Sequence, residues 1–444
     1  MSAVEFLSSS AAPAGGIPSG EELIQRARAL APKLRERALR AERDRNIPRE
    51  SVEEYIDAGL IRTIMPKRWG GYEHDHEVAF NIAIELGRST CGSSAWCLNY
   101  LSDHAGILAH FPDEAQHDVW SRNGDACIAT SAAPTGKAEA APGGYRLDGQ
   151  WSWASGIRHS QWIMICGLVH RAGEHHQNMR LFLVPTSDLK VLDTWYCAGL
   201  RGTGSNTVEL AGVFVPEHRS VSFSTLRDAV SPGSKINTAP IYRTPFIAVH
   251  TYALLGPALG LARGGYAEFV EWTRQRYLTY TALNVAQHVP VQIRVAEIAA
   301  QIDAAELLAR RCFAIAREDY TQVTLEQRLL LRRDFTYAMR MLRSAMDDLI
   351  KISGSSGLRD DNCAQRCWLR RARDLVARGD ELRRRGGKLR PRGIRPRSQR
   401  GVSDVLDAQV RRAGPRYNPT SDFARMLVWI SEVPPMMVNA RELR

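Results

Sequence analysis

Within Gly149–Trp162 (Gly-Gln-Trp-Ser-Trp-Ala-Ser-Gly-Ile-Arg-His-Ser-Gln-Trp), three tryptophans stand close to the hydroxyl of Ser155 and the imidazole of His159. Rigid indole faces beside a hydroxyl and an imidazole suit the wall of a site for a planar, aromatic cofactor. A Trp-rich corner of a β-core accounts for the same composition equally well. Gly156 follows Ser155, so the backbone there can come close to a ligand. His104 lies in Tyr100-Leu-Ser-Asp-His-Ala-Gly106, and on spacing alone it reads as a core or helix-face histidine. The eight cysteines are scattered singly apart from Cys363 and Cys367, which have no matching His or Cys pair. Reduced thiols, no metal site and a cytoplasmic location are the expectation.

The elements that must position these groups fall into three blocks. Ser19-Gly-Glu-Glu22 is a capping-box pattern, and Leu23, Ala27, Leu30, Leu34 and Ala38 then recur on one helical face. Pro48 opens a second helix through Tyr55 to Leu60, Met65–Tyr72 makes a turn, and helices are predicted near 75–88, 92–110 and 113–120. Short β-type runs follow at Ala126–Ser131, Tyr145–Leu147, Trp162–Val169, Met179–Val184, Lys190–Leu192 and Thr207–Val215. Because strand-like runs flank the Trp-rich stretch, its centre is predicted to be a hairpin-like corner. Helical patterning returns over Thr251–Tyr277, Val291–Leu308 and Leu325–Ile352, three helices of an antiparallel bundle that wants a fourth. The resulting boundaries are a flexible N-terminus at 1–18, a helical domain at 19–125, a β-barrel or sandwich at 126–235 and a helical bundle at 236–368. No apolar run reaches membrane-spanning length.

The net charge of +11 suggests nucleic-acid binding, but its distribution argues against that. Residues 366–444 hold 20 Lys and Arg against 8 Asp and Glu, whereas the other 365 residues hold 39 against 40. The basic character belongs to the tail alone.

The order helical domain, β-domain, helical bundle resembles the acyl-CoA dehydrogenase fold. Pro66-Lys-Arg-Trp-Gly-Gly71, Ala129-Thr-Ser-Ala-Ala-Pro-Thr-Gly136 and Gly199-Leu-Arg-Gly-Thr-Gly-Ser-Asn-Thr207 carry the resemblance. The dehydrogenases' Tyr-Glu-Gly-Thr-like motif, with its glutamate base, is not found. Trp153-Ala-Ser-Gly-Ile-Arg-His159 and Asp193–Asn206 instead resemble the oxygenase components of two-component flavin monooxygenases that hydroxylate phenolic rings.

That resemblance implies an oxygenase that takes reduced FMN or FAD from a separate NAD(P)H:flavin reductase. With O2 as co-substrate, it would form a C4a-hydroperoxide in a dry pocket and hydroxylate a phenolic or fused aromatic ring. It implies His104 as the general base and Ser155 near flavin N5 or C4a. Trp96 and Trp153 would wall the isoalloxazine, while Thr130 and Ser131 would bond its polar edge. Arg243 is a candidate for flavin charge or phosphate. Ser355 and Ser356, in Gly354-Ser-Ser-Gly357, would offer backbone N–H groups to phosphate from a neighbouring subunit of a homotetramer. His159 is expected to be structural, and His110 likewise. Three rival readings remain: an acyl-CoA dehydrogenase, an N- or S-oxygenase of the same fold, and an inactive derivative whose basic tail binds nucleic acid.

The resemblance ends at Gln365-Arg-Cys-Trp368, where the family continues Arg-Asp-x-His-Ala. Leu369-Arg-Arg-Ala-Arg-Asp-Leu-Val-Ala-Arg378 stands there instead. Codons compatible with those residues, read one base later, are also compatible with Asp-Val-His-Ala-Ile-Ser-Ser-His-Val. Residues 369–444 are therefore expected to be an out-of-frame, poorly folded tail that compromises activity. A basic extension for RNA or a partner is the alternative. Sequencing independent clones of the gene across the Trp368 codon is expected to show one surplus base, and an unchanged frame would refute the idea.

Overall fold

Ser19 caps the first helix as its sequence requires. Its hydroxyl accepts from the Glu22 N–H while the Glu22 carboxylate accepts from the Ser19 N–H. A computed structural model of the chain describes residues 16–170, 178–244, 246–277, 283–318, 323–359, 362, 364, 365 and 367. The predicted tail at 369–444 and most of the flexible N-terminus lie outside the described residues, which apart from His170 and Asn178 belong to one unit formed by residues 1–169 and 179–372.

The helical domain comprises α1 (Gly20–Glu36), α2 (Ala38–Asp44), α3 (Arg49–Asp57), α4 (His76–Gly87), α5 (Gly92–Leu108) and α6 (Asp113–Trp120). Leu23, Ala27, Leu30, Leu34 and Ala38 are buried, as their spacing predicts. The short helix α2 was not predicted. Its seven residues, Ala-Leu-Arg-Ala-Glu-Arg-Asp, offer only two buried alanines, too little for a periodic signal. Pro48 precedes α3 as its N-cap residue.

The β-domain is an eight-stranded sheet: β1 (Ile128–Ser131), β2 (Lys137–Ala141), β3 (Gly144–Ala154), β4 (Trp162–His170), β5 (Asn178–Pro185), β6 (Lys190–Leu192), β7 (Asn206–Pro216) and β8 (Ser220–Ser222). The strand order is β6-β7-β3-β2-β4-β5-β8, and β1 runs parallel to β4. The sequence missed β2 and β8. Lys-Ala-Glu-Ala-Ala has little β-propensity, and β8 has only three residues.

The Trp-rich corner is not a hairpin, because β2 lies between β3 and β4 in the sheet. Strand β3 runs on through both Trp151 and Trp153, and a 3-10 turn at Ile157–His159 makes the corner. Trp151 belongs to the core. It is fully buried, and its indole N–H donates to the Cys166 carbonyl at 2.8 Å. A Cβ at Gly136 would come within 2.3 Å of that indole, so the close packing of Trp151 requires a glycine there.

Three long helices form the third block: α8 (Phe246–Arg274), α9 (Val289–Ala316) and α10 (Leu325–Ser353); the short α7 (Phe223–Arg227) precedes them. They pack on one another, and α8 also packs on α4 and α5. Ile298, Ile302 and Ala305 are buried on the predicted face of α9. None of the described helices is long and apolar enough to cross a membrane.

Arg62 joins the helical domain to the start of the sheet. Its guanidinium grips the Asp125 carboxylate at 2.6 and 2.8 Å, with both side chains about nine-tenths buried. Donating to the Asp125 carboxylate raises the Arg62 pKa. Removing one partner of a buried pair leaves the other charge uncompensated, at a cost of about 3–5 kcal/mol. Asp125→Asn is therefore expected to lower the free energy of urea unfolding by at least about 3 kcal/mol, whereas an exposed control such as Asp188→Asn should change little.

Candidate active site

The predicted residues assemble around β1. His104 is buried on α5, and its Nδ1 lies 2.5 Å from the Ile128 carbonyl oxygen of that strand. A carbonyl only accepts, so Nδ1 carries the proton and Nε2 keeps its lone pair. Burial lowers the His104 pKa from 6.5 to about 4, against the opposing pull of Asp103. The ring is therefore a neutral acceptor at ordinary pH. It stacks on Tyr100, with centroids 4.9 Å apart and planes at 22°, and Tyr100 meets the Trp96 ring edge-on at 5.1 Å. Trp96, Tyr100 and His104 thus follow one another up α5 at helical i, i+4 spacing.

Two residues along β1, Thr130 Oγ1 is buried without a hydrogen-bond partner among the described residues. A buried hydroxyl left unpaired costs free energy, and a ligand's polar edge would satisfy it. Ser131 has already committed its hydrogen, donating to the Ser152 carbonyl on β3 at 2.8 Å. It can still accept. Strand β1 therefore connects His104 at one end to the Ser152–Ser155 run at the other.

Trp153 sits in that run with φ +70°, a left-handed backbone that an aromatic residue adopts only under strain. The sheet register shifts here, between Trp151 and Ala154. Two residues on, the half-buried Ser155 places its Oγ 2.7 Å from Ser205 Oγ, which in turn lies 2.7 Å from Thr203 Oγ1. His159 Nε2 lies 3.1 Å from Asn46 Oδ1, on the turn before α3, consistent with a structural role. His110 is buried against the Ser231 hydroxyl at 2.9 Å.

Other expected residues stand apart. Arg243 is exposed at the end of a 3-10 turn, Pro240–Arg243, and takes part in no hydrogen bond or ion pair among the described residues. Ser355 and Ser356 are exposed on the turn after α10, with no contact to β1 or Ser155 among the described hydrogen bonds.

Sequence reasoning missed a half-buried acid–base pair on the adjoining face of α5. Asp103 Oδ2 lies 2.7 Å from His250 Nδ1 on α8. Burial alone would lower the His250 pKa and raise that of Asp103. Their mutual attraction outweighs burial, so the histidine is raised and the carboxyl lowered. Two small cavities adjoin this pair. Tyr55, Asn99, Ser102 and Phe313 help line one, His110, Tyr242 and His250 help line the other, and His76 and Asp103 line both. Neither reaches Ser155 or Thr130. The Asp preceding His104 was the only available signal.

The fold and this arrangement define the class. The acyl-CoA dehydrogenase N-terminal domain family matches residues 19–123, and the acyl-CoA dehydrogenase C-terminal domain family matches 252–377. The second match runs past Trp368, the last residue of the family-like motifs.

Among curated relatives, the chain is 37% identical to the flavin-dependent monooxygenase oxygenase subunit HsaA of Rhodococcus jostii (strain RHA1) over 352 residues, 78% of this chain and 91% of the relative. It is 33% identical to the FADH(2)-dependent resorcinol hydroxylase oxygenase component of Rhizobium sp. (strain MTP-10005), over 78% of this chain and 87% of that one. Among solved structures, the 3-HSA hydroxylase from Rhodococcus sp. RHA1 superposes with a TM-score of 0.74 at 34% identity, covering 84% of this chain and 98% of that one. The chain belongs to the oxygenase components of two-component flavin-dependent monooxygenases, which share the acyl-CoA dehydrogenase fold.

The depressed His104 pKa has a consequence for stability. The unfolded chain protonates this histidine below its ordinary value of 6.5, while the folded chain resists down to about 4. Stability is thus full above pH 6.5 and falls as the pH drops through this window, by an amount on the order of 3 kcal/mol for this one group. Urea unfolding from pH 7 to 4 is expected to show a shallower decline for His104→Gln than for the wild type. Equal slopes would show that His104 is not buried in its neutral form.

Proposed function

We propose that the chain hydroxylates a phenolic or fused aromatic ring, ortho to an existing hydroxyl, with O2 as co-substrate and reduced FMN or FAD delivered by a separate NAD(P)H:flavin reductase. One observation carries this reading. The short strand β1 places an unpartnered hydroxyl, Thr130, between a neutral imidazole with a free Nε2 and the strained Trp153–Ser155 corner. Residues for each part of the reaction thereby border one strand.

The donor set fits a flavin. Thr130 has hydrogen-bonding capacity to spare for the polar edge of the ring system, and Ser131 can accept from it. Trp96 and Trp153 supply flat apolar surface for the ring faces and help to exclude water. The bound reduced flavin supplies the activation of oxygen. His104 Nε2 accepts the hydrogen bond of the substrate phenol and draws its proton, which enriches the ring carbon that is to be oxygenated. Ser155 fixes the reactive edge of the cofactor.

Arg243 as a phosphate or charge contact, and Ser355 and Ser356 as phosphate donors to a neighbouring subunit, remain part of the proposal, as does a homotetramer. Exposed apolar side chains on the bundle support an assembly: Ile293 and Leu307 on α9, and Leu325 and Tyr337 on α10. Comparison with resorcinol hydroxylase favours a phenol over an acyl-CoA substrate, because that relative acts on a dihydroxybenzene.

The test supplies the full chain with a flavin reductase, NADH, FMN or FAD, and a panel of phenols under isotopically labelled oxygen. A hydroxylated product carrying one labelled oxygen is expected. His104→Ala should lower its formation by about 10²-fold or more. Oxidation of acyl-CoA with an artificial dye, with no labelled phenol formed, would overturn the reading in favour of a dehydrogenase.

A further inference from the structure

The three hydroxyls behind the Trp153–Ser155 corner have only one consistent arrangement of hydrogens. Thr203 Oγ1 lies 2.9 Å from the Leu200 carbonyl oxygen. Two oxygens that close repel unless a hydrogen lies between them, and only Thr203 has one to give. Its hydroxyl is therefore spent on Leu200. The 2.7 Å contact between Thr203 and Ser205 must then use the Ser205 hydrogen, and the 2.7 Å contact between Ser205 and Ser155 must use that of Ser155. The relay runs Ser155 to Ser205 to Thr203 to the Leu200 carbonyl. Ser155 Oγ has no hydrogen left to offer outward, only lone pairs.

The relay is firmly held. The Gly156 N–H donates to the Thr203 carbonyl at 2.9 Å, which locks the corner to the turn that carries the hydroxyls. Ser205 and Thr203 are 4% and 1% exposed, so water does not compete for them. Ser155 is half-buried, the one hydroxyl residue of the relay that is not fully buried.

We infer that Thr203 and Ser205 are positioning residues that fix Ser155 as a hydrogen-bond acceptor, and that the site thereby favours reduced over oxidised flavin. Reduced flavin carries an N5–H donor, which the Ser155 oxygen can accept. Oxidised flavin has only a lone pair at N5, and two lone pairs facing each other repel. The inference rests on the placement of the flavin's reactive edge at Ser155 in the proposed function.

Anaerobic equilibrium titrations of the full chain with FMN and FAD, oxidised and dithionite-reduced, test it without any turnover. The wild type should bind the reduced form more tightly. Ser205→Ala or Thr203→Val frees a hydrogen that lets Ser155 donate, so oxidised flavin should bind more tightly than in the wild type, by about five-fold, the worth of one neutral hydrogen bond. Thr203→Ser keeps the relay and should keep the wild-type ratio. Simple structural damage would weaken both redox states, and it would also lower the thermal unfolding midpoint. An unchanged ratio in folded Ser205→Ala and Thr203→Val, or a wild type with no preference for reduced flavin, overturns the inference and leaves the monooxygenase reading standing. A wild type that binds flavin in neither state overturns both.

Discussion

The geometry of the site depends on how the turn at Leu200–Ser205 is seated against α2. Arg45, at the end of α2, holds both oxygens of Asp193 at 2.8 Å, which keeps that carboxyl down at about 2. Glu42 on α2 accepts from the Arg201 N–H with one carboxylate oxygen and from the Ser93 hydroxyl with the other, so one side chain ties the turn to α5. A Cβ at Gly202 would lie 2.8 Å from the Ala41 carbonyl oxygen, and one at Gly204 would lie 3.0 Å from that of Arg45. The turn can approach α2 so closely only because both are glycines. The exposed Arg45–Asp193 pair adds little stability by itself. Its effect is geometric, since it and Glu42 fix the Leu200 carbonyl on which the hydroxyl relay ends.

The same seating explains the strain at the corner. Trp151 is anchored in the β-core and Gly156 in the Thr203 carbonyl, so the intervening residues must cover a fixed path. The register shift in β3 and the left-handed Trp153 make up the difference. The surrounding core over-determines a conformation that is unfavourable in isolation. Trp151 of the cluster is therefore structural, while the strained backbone at Trp153 follows from the path that its fixed neighbours impose.

How much of this was legible follows from the range of each signal. The three blocks and nearly every long element were readable, because periodic burial is a local property; Leu23 to Leu34 on α1 and Ile298 to Ala305 on α9 sit as their spacing requires. His104 and Thr130 could be singled out only because the surrounding motifs resemble a family, whereas Ser155 also stood out by its place among the tryptophans and before Gly156. The relay was not readable at all. Ser155 and Ser205 are 50 residues apart, and serine is too common a residue for its type to be a signal. The Asp103–His250 pair, drawn from two different helical blocks, was invisible for the same reason. Pairing across blocks exists only once packing has chosen the neighbours.

Burial finally decides which imidazole serves as an acceptor. His104 and His250 flank Asp103 on the same helical bundle interface, yet their pKa values move apart. His250 meets the carboxylate directly and gains proton affinity. His104 turns its Nδ1–H to the Ile128 carbonyl, a weaker partner than a charge, so desolvation prevails and the ring stays neutral. A neutral ring with a fixed tautomer presents a lone pair at Nε2 without placing a cation beside Tyr100 and Trp96. The cost is weak basicity. In the proposed reaction such a group acts on the phenol by accepting its hydrogen bond at close range and drawing the proton toward Nε2. The nearby carboxylate of Asp103 offsets part of that cost by pulling the His104 pKa upward.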